Sequence, residues 1–512
     1  MHLRYQLFRN SFTTLMQILA TTVVGIILPP ILLSRLGMEV YGIWALIMLV
    51  NAYVALLDLG LQSGLIKLIA EAEVRKDTRR ILLLMNTSLW VYVGIFFVSC
   101  GVAFSWGAVL AKWLLNSLPD PSAYIRIFQT YLVISLSGLL TIPFSGLLKG
   151  FQRYDQSNAL EIIAMLLNAS SSVALLLAGS GLWSLVIGAA VAALWRLFAY
   201  PWIAWRAFPS FRLNWVSDGW LDTFKGMVHL SPSDQSVRIY SVVTQSVVRL
   251  AISAYAGVAF VGIYDIAKRI VNQVNGVSTI VFTPLVPAVS SLATQGKKES
   301  LHELLRRCQL YLGMLGLPLT YFLLIFYDPV LRTWLGLSDV SLISFAGRLL
   351  LIATFAELFT GPTTTTALGL GTANLQVIKI VLTGILNVIL VLVLGQRFGF
   401  RGIVIGETVA TLIGTFTCIF VFQTWFSIPV GRMTLEAIRR VTVATLPIWL
   451  LLAGAWLYFS GLPVWHSLLT WGGMLAVGLL ATGLVYWFTG LLSRYEVDLA
   501  LNAFALRRRE IR

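Results

Sequence analysis

The sequence contains little charge and very little cysteine. Of its 512 residues, 12% are charged and 58% are apolar, whereas about a quarter of the residues of a soluble domain are charged. This composition excludes a soluble globular protein. The cysteines, Cys100, Cys308 and Cys418, lie in or beside apolar runs, and the histidines lack metal-binding or catalytic spacing. We therefore predict no catalytic residues, no metal site and no cofactor, and consider only H⁺ or Na⁺ coupling below.

What is present instead is a series of apolar runs. A helix needs about 20 residues to cross a hydrocarbon core about 30 Å thick, and the segments between the runs are too short for a soluble enzyme domain. The sequence therefore predicts an all-α polytopic membrane protein. It has about fourteen predicted transmembrane helices, near residues 11–34, 40–66, 81–108, 124–148, 157–179, 182–205, 231–255, 259–289, 308–328, 342–367, 373–396, 400–427, 441–460 and 466–492.

Basic residues are concentrated in every second connection between these helices. If the N-terminus is inside, most of the 37 Lys and Arg residues fall on the same side, as the positive-inside rule requires. We predict a multi-pass protein of the bacterial inner (cytoplasmic) membrane with both termini in the cytoplasm. Because the basic residues are spread over many short loops, the net charge of +15 does not indicate nucleic-acid binding.

The chain also contains an internal repeat. GMEVYGIW, from Gly37, aligns with GVAFVGIY, from Gly257, and GLWSLVIG, from Gly181, aligns with GFRGIVIG, from Gly399. The shift between the two copies changes only from 220 to 218 over this distance. The alignment predicts a tandem duplication of about six helices, followed by two extra helices.

The repeat predicts the domain organisation. The N-lobe covers residues 1–228, the C-lobe covers 229–428, and the last two helices with a basic cytoplasmic tail cover 429–512. Because each copy has an even number of helices, both lobes insert with the same orientation and are related by an axis along the membrane normal. This architecture is typical of alternating-access carriers, so we predict a monomeric carrier that binds substrate between its lobes.

The segment LSRLGMEVYGIWALIMLVNAYVALLDLGLQSGLIKLIAE, from Leu33 to Glu71, resembles the polysaccharide-transporter (Wzx-type) flippases of the multidrug/oligosaccharidyl-lipid/polysaccharide exporter superfamily. GVAFVGIYDIAKRIV resembles the matching element of their second lobe. The resemblance implies a carrier that moves undecaprenyl-pyrophosphate-linked oligosaccharide repeat units to the periplasmic leaflet through a cationic cavity. It also implies membrane lipids, a polysaccharide polymerase and chain-length or export proteins as partners.

The seventh and eighth predicted helices carry polar stripes. A charge at the bilayer centre costs about 2.5 to 3.5 kcal/mol on insertion scales, so such a stripe must face protein or water. In the first repeat, Ala45, Met48 and Leu49 stand where the eighth helix has its charges, so the fold does not require them. We predict that the stripes and the helices paired with them bind the substrate. The candidate residues are Arg238, Arg249, Lys268, Arg269, Asn272, Asp265, Asp58 and Gln17.

Alternatives remain for several of these residues. Arg249 lies near a helix end and could extend to the membrane surface. Asp265 with Arg269, like Asp234 with Arg238, stands at i and i+4 and could pair within its own helix. Asp58 either balances the cations or only joins a glycine-rich packing contact.

Acids inside the apolar runs are candidates for H⁺ or Na⁺ coupling, the part that acidic residues play in the extrusion-type relatives. A structural hydrogen bond is the alternative for each of them. Arg196, Arg348 and Lys379 are long enough to reach the membrane surface and receive no predicted role. The coupling candidates are Asp234, Glu357, Glu407 and Glu161.

Three rival functions remain. A polytopic glycosyltransferase or polymerase would need an acid–base constellation, commonly on a sizeable extracytoplasmic loop, which this chain does not offer. A multidrug exporter of organic cations is disfavoured by the surplus of Lys and Arg in the polar stripes. A lipid II flippase is the third alternative, and the sequence does not separate it from the polysaccharide flippases.

Overall fold

The structure is a computed structural model that describes residues 2–114, 122–214, 219–229, 232–282, 289, 291–292, 295, 298–370, 372, 374–459 and 467–491. Within these ranges the chain is almost entirely helical and contains no strand. A short 3₁₀ helix at Gly138–Thr141 joins α5 to α6. The α-helices are α1 (His2–Ile47), α2 (Leu49–Leu56), α3 (Leu61–Val74), α4 (Thr78–Leu114), α5 (Ser122–Ser137), α6 (Ile142–Gly150), α7 (Tyr154–Leu177), α8 (Trp183–Ala207), α9 (Trp220–His229), α10 (Pro232–Tyr255), α11 (Val258–Phe282), α12 (Lys298–Leu335), α13 (Ser341–Leu358), α14 (Gly361–Gly369), α15 (Asn374–Phe426), α16 (Val430–Phe459) and α17 (Leu468–Phe488).

The predicted all-α membrane fold is confirmed. In the part of the chain that the structure describes, ten helical segments are long and apolar enough to cross a membrane. Two of them, Phe12–Leu56 and Leu375–Phe426, each contain two predicted spans joined without a loop. The ten segments thus account for twelve predicted helices, and α10 and α11 supply the remaining two. The chain is a multi-pass membrane protein.

Two long helices bend sharply at glycines. Gly37 interrupts α1 with φ 77°, and Gly399 interrupts α15 with φ 56°. Their repeat partners, Gly257 and Gly181, also have positive φ, at 103° and 53°. Glycine adopts this left-handed region without the steric penalty that a Cβ atom brings. The shared backbone geometry at equivalent positions supports the duplication.

The second predicted helix, 40–66, is not continuous. The chain leaves the helical path at Leu57 and resumes at Leu61, where α3 begins. Leu59 and Gly60 both have positive φ, at 50° and 74°. The Asp58 carboxylate accepts a hydrogen bond from the Gln62 backbone N–H at 3.2 Å, which satisfies a donor in the first turn of α3.

A close backbone contact joins the second half of α1 to α11. A Cβ atom on Gly42 would lie 2.1 Å from the Val258 carbonyl oxygen, and one on Gly262 would lie 2.9 Å from the Met38 carbonyl oxygen. Gly42 is equivalent to Gly262, and Met38 to Val258, at the shift of 220. The contact is therefore reciprocal, as expected around a two-fold axis.

The described residues pack as two compact units. The first comprises Met1–Ile266 and Gly384–Glu407. A core cluster in it includes Leu65 of α3, Leu84 of α4 and Met227 of α9. Gly64 lets the Met227 backbone approach α3, because a Cβ atom on Gly64 would lie 2.2 Å from the Met227 carbonyl oxygen.

The second unit comprises Ala267–Thr383 and Thr408–Arg512. One of its clusters joins α12 to the two C-terminal helices through Met314, Val441 and Tyr486, and the Tyr486 hydroxyl donates to the Met314 carbonyl oxygen at 3.0 Å. The lobe boundaries at 228 and 428 that the repeat suggests stay a prediction.

Candidate functional site

In the first unit, an ion pair joins α10 to α11. Arg249 Nη2 lies 3.2 Å from Asp265 Oδ1, and the two side chains are only 13% and 15% exposed. The Tyr41 hydroxyl donates to Asp265 Oδ2 at 2.9 Å. The Arg249 guanidinium also lies over the Tyr264 ring, 5.8 Å from its centroid. The Arg249 side chain is thus directed to a neighbouring helix.

A second buried acid of the first unit lies on α15. Glu407 is 7% exposed, and the Tyr264 hydroxyl donates to its two carboxylate oxygens at 3.0 and 2.9 Å. Tyr264 and Asp265 are neighbours on α11. One of them donates a hydrogen bond to the Glu407 carboxylate, and the other forms the ion pair with Arg249. Neither tyrosine partner, Tyr41 or Tyr264, was among the sequence candidates, because a tyrosine in an apolar run resembles an ordinary core residue.

Asp58 is 2% exposed and caps the start of α3. It also accepts a hydrogen bond from the Tyr92 hydroxyl of α4. These contacts favour the packing interpretation of Asp58, beside the close approach at Gly64. Gln17, the other candidate from the first lobe, is half-buried on α1, and its carbonyl oxygen accepts from Thr21.

Glu161 belongs to a polar cluster between α7 and α8. Arg196 Nε lies 3.1 Å from Glu161 Oε2, and the Tyr200 hydroxyl donates to Glu161 Oε1 at 3.0 Å. The sequence analysis gave Arg196 no role, and the structure gives it an acidic partner. The half-buried Glu161 lies on the preceding helix, and the ion pair stabilises both charges inside the membrane.

In the second unit, the predicted contact residues Lys268 and Arg269 are half-buried on α11, while Asn272 is exposed. The predicted residues Arg238 and Asp234 lie on α10, but their side chains are outside the part of the chain that the structure describes.

In the second unit, Lys379 pairs with an acid predicted for ion coupling. Glu357 of α13 binds Lys379 of α15, whose Nζ lies 2.9 Å from Glu357 Oε1 and donates to Thr360 Oγ1 at 2.8 Å. The charge of Lys268 also acts on Glu357.

Lys379 was missed by the sequence analysis, which assigned it no role because its side chain is long enough to reach the membrane surface. The available signal was the presence of one acid and one cation inside neighbouring apolar runs, since each needs a partner away from water. Arg348 likewise pairs, with Asp328 at 3.3 Å.

We expect Lys379→Met to lower the free energy of unfolding by about 1 to 3 kcal/mol, because it removes the ammonium group 2.9 Å from the Glu357 carboxylate inside the membrane. Lys379→Met combined with Glu357→Leu should recover that loss, and Lys379→Arg should retain most of the wild-type stability. Thermal unfolding of the purified protein in detergent measures all three. A double variant that is less stable than Lys379→Met would contradict a simple pairwise interaction.

Comparison with solved structures defines the class of fold. The lipid II flippase MurJ, in an inward closed conformation, matches with a TM-score of 0.67 and 11% identity over 96% of this chain and 99% of that chain. An inward-facing multidrug resistance MATE family transporter of the MOP superfamily matches with a TM-score of 0.61 and 16% identity, over 80% and 95% of the two chains. The Vibrio cholerae MATE transporter VcmN matches with a TM-score of 0.57 and 14% identity, over 83% and 97%. The protein has the fold of these MOP-superfamily transporters.

The family follows from the sequence. A family model described as polysaccharide biosynthesis protein matches residues 32–338, more than half of the chain. The chain belongs to this polysaccharide biosynthesis protein family, and the predicted resemblance to polysaccharide transporters is confirmed. None of the curated proteins matches the sequence.

Proposed function

We propose that the protein is an alternating-access flippase. It moves undecaprenyl-pyrophosphate-linked oligosaccharide repeat units from the cytoplasmic to the periplasmic leaflet of the inner membrane, for cell-surface polysaccharide synthesis. Membership of the polysaccharide biosynthesis family supports the polysaccharide part of this proposal. The fold shared with a lipid II flippase supports the movement of a lipid-linked sugar.

The observation that best supports a pyrophosphate-linked substrate is that Lys268 and Arg269 lie side by side on α11 and are half-buried. Their repeat equivalents are Met48 and Leu49, so the second copy of the fold has acquired two cations that the first copy does without. Lysine and arginine bind phosphate oxygens through charge-assisted hydrogen bonds. A pyrophosphate-linked substrate needs such groups inside the membrane, whereas an organic cation would be repelled by them.

The buried contacts also rank the coupling candidates. Glu161 and Glu357 are held by Arg196 and Lys379. Glu407 is buried and is hydrogen-bonded through both oxygens by the phenol of Tyr264. Acidic side chains inside a membrane mark ion and proton pathways, so Glu407 is our first choice if H⁺ or Na⁺ drives transport.

The other parts of the proposal follow from the same function. The carrier acts as a single chain, with both termini in the cytoplasm, surrounded by membrane lipids. A polysaccharide polymerase and chain-length or export proteins receive the repeat units on the periplasmic side.

Lys268→Ala and Arg269→Ala should each reduce flipping by about tenfold or more, since a lost hydrogen bond to a charged group costs about 1.5 to 3 kcal/mol. The measurement is the appearance of lipid-linked glycan in the outer leaflet, in a strain that lacks the chromosomal copy. Arg439→Ala, at an exposed position on α16, is the matched control and should transport normally.

Wild-type flipping by both α11 variants would overturn the assignment of the cations to the substrate. Rescue of a strain that lacks its lipid II flippase, without rescue of surface polysaccharide, would instead assign the protein to lipid II transport.

A further inference from the structure

A groove runs along one face of α4 in the first unit, and the proposed transport leaves it unexplained. Its volume is about 760 Å³. Residues at steps of three and four form one face of a helix, and Thr87, Trp90, Gly94 and Val98 follow this spacing. Except for Thr87 and Ser99, the lining side chains are apolar or aromatic. The walls opposite α4 are Leu57, which follows α2, and Trp220, which begins α9.

Gly94 lines this groove. It is exposed, and a Cβ atom built on it would meet no other atom within 4 Å. The lining extends along α4 from Thr87 to Ser99, a length of about 18 Å at 1.5 Å per residue. One leaflet contributes about half of a hydrocarbon core about 30 Å thick. The groove therefore matches the length of one extended acyl chain of one leaflet.

Cations lie at the end of α4 that precedes the groove. Arg80 stands seven residues before Thr87, on the same face of the helix, and its Nη1 donates to Thr223 Oγ1 of α9 at 3.3 Å. Arg212 is exposed, and its carbonyl oxygen accepts from Asn86 of α4 at 3.1 Å. Lys225 of α9 is exposed as well. The basic loops predict that this end faces the cytoplasm.

We infer that the groove binds one acyl chain of an anionic phospholipid of the inner leaflet, with the phosphate on Arg80. Basic pockets beside membrane helices on the cytoplasmic side are suited to anionic lipid head groups, and the apolar stripe of α4 continues directly from such a pocket. A phospholipid fits better than a polyprenyl lipid, because a much longer isoprenoid chain would extend beyond the groove. The site uses none of the residues assigned to the transported substrate. This inference therefore does not depend on the proposed function.

The test uses the full-length protein in phosphatidylcholine vesicles that contain phosphatidylglycerol with a photoreactive diazirine in its acyl chain. After illumination, mass spectrometry should find the label on peptides that contain residues 87–99 and Trp220. Gly94→Leu fills the groove, and leucine favours a helix over glycine. It should reduce labelling of these peptides by about tenfold, equivalent to about 1.4 kcal/mol.

Gly101→Leu is the matched control. Gly101 lies on the same helix, is exposed and has no atom within 4 Å of a built Cβ atom, but it does not line the groove. Its labelling should equal that of the wild type. Similar unfolding temperatures of the two leucine variants would show that the loss in Gly94→Leu comes from the filled groove and not from misfolding.

Arg80→Gln distinguishes binding of the lipid head group from binding of the acyl chain. It should weaken labelling by the phosphatidylglycerol probe, whereas a phosphatidylcholine probe with the same chain should label weakly in both proteins. Equal labelling of wild type and Gly94→Leu would overturn the groove as the site. Equal labelling by the two probes would overturn the anionic preference. Displacement of the probe by polyprenyl phosphate more readily than by unlabelled phosphatidylglycerol would assign the groove to a lipid carrier and overturn the phospholipid.

Discussion

Asp265→Ala is expected to destabilise the protein by about 3 to 5 kcal/mol, the range for removing one partner of a buried ion pair. The substitution removes the carboxylate that lies 3.2 Å from the Arg249 guanidinium, which is 13% exposed. It also removes the acceptor of the Tyr41 hydroxyl. Alanine itself suits the helix, since Ala45 holds the equivalent position in the first repeat. Thermal unfolding of the purified protein in detergent measures the loss.

Two further variants test whether the unpaired Arg249 charge or the lost hydrogen bond of Tyr41 causes the loss of stability in Asp265→Ala. Arg249→Leu in the Asp265→Ala background removes the remaining charge and should recover most of the stability, because apolar replacements of buried ion pairs are often neutral or stabilising. Asp265→Asn keeps an oxygen that can accept from Tyr41 and should be less harmful than alanine. If the double variant is no more stable than Asp265→Ala, the uncompensated Arg249 charge is not the source of the loss.

Gly42→Ala adds a methyl group where α1 and α11 are in backbone contact, and it should lower the free energy of unfolding by about 3 kcal/mol. The new Cβ atom would lie 2.1 Å from the Val258 carbonyl oxygen and 3.2 Å from the Gly262 nitrogen. Both are backbone atoms, so no flexible side chain can move aside and the helices themselves must separate. The fraction of protein that elutes as a single species from detergent extracts, together with its unfolding temperature, measures the effect.

Gly25→Ala is the control for that experiment. Gly25 lies on the same helix, and nothing is within 4 Å of a Cβ atom built there, so alanine should be neutral or stabilise by up to about 1 kcal/mol. Gly262→Ala should fall between the two, because its nearest backbone atom, the Met38 carbonyl oxygen, lies 2.9 Å away. Equal stability of the Gly42 and Gly25 variants would contradict the close contact between α1 and α11.

The membrane helices could be predicted because their signal is local. An apolar run of sufficient length forms a helix in lipid, where every backbone hydrogen bond must be made within the segment. Even the sharp bends at Gly37 and Gly399 coincide with the short gaps that separate predicted spans. The turn at Leu57–Gly60 was missed, since it lies inside a predicted span in which Asp58 is the single charged residue.

The partners of the buried charges could be predicted only in part. The spacing of Asp265 and Arg269 left open a pair within one helix, and it gave no sign of the ion pair that Asp265 makes with Arg249 of the preceding helix. Lys379 and Glu357 are 22 residues apart and meet because α13 and α15 lie side by side there. Which helix faces come together depends on packing over the whole unit, and the spacing of charges along one helix does not contain that information.

The reciprocal contact of Gly42 with Val258 and of Gly262 with Met38 has a consequence for how such a chain can originate. Two identical six-helix proteins that associate around a two-fold axis would make this contact twice, with the same residues on both sides. Fusion of the two copies into one chain keeps the contact, and the two halves no longer need to have the same sequence. A charge can then appear in one copy alone, as at Asp265 opposite Ala45, whereas in a symmetric dimer every substitution is made twice.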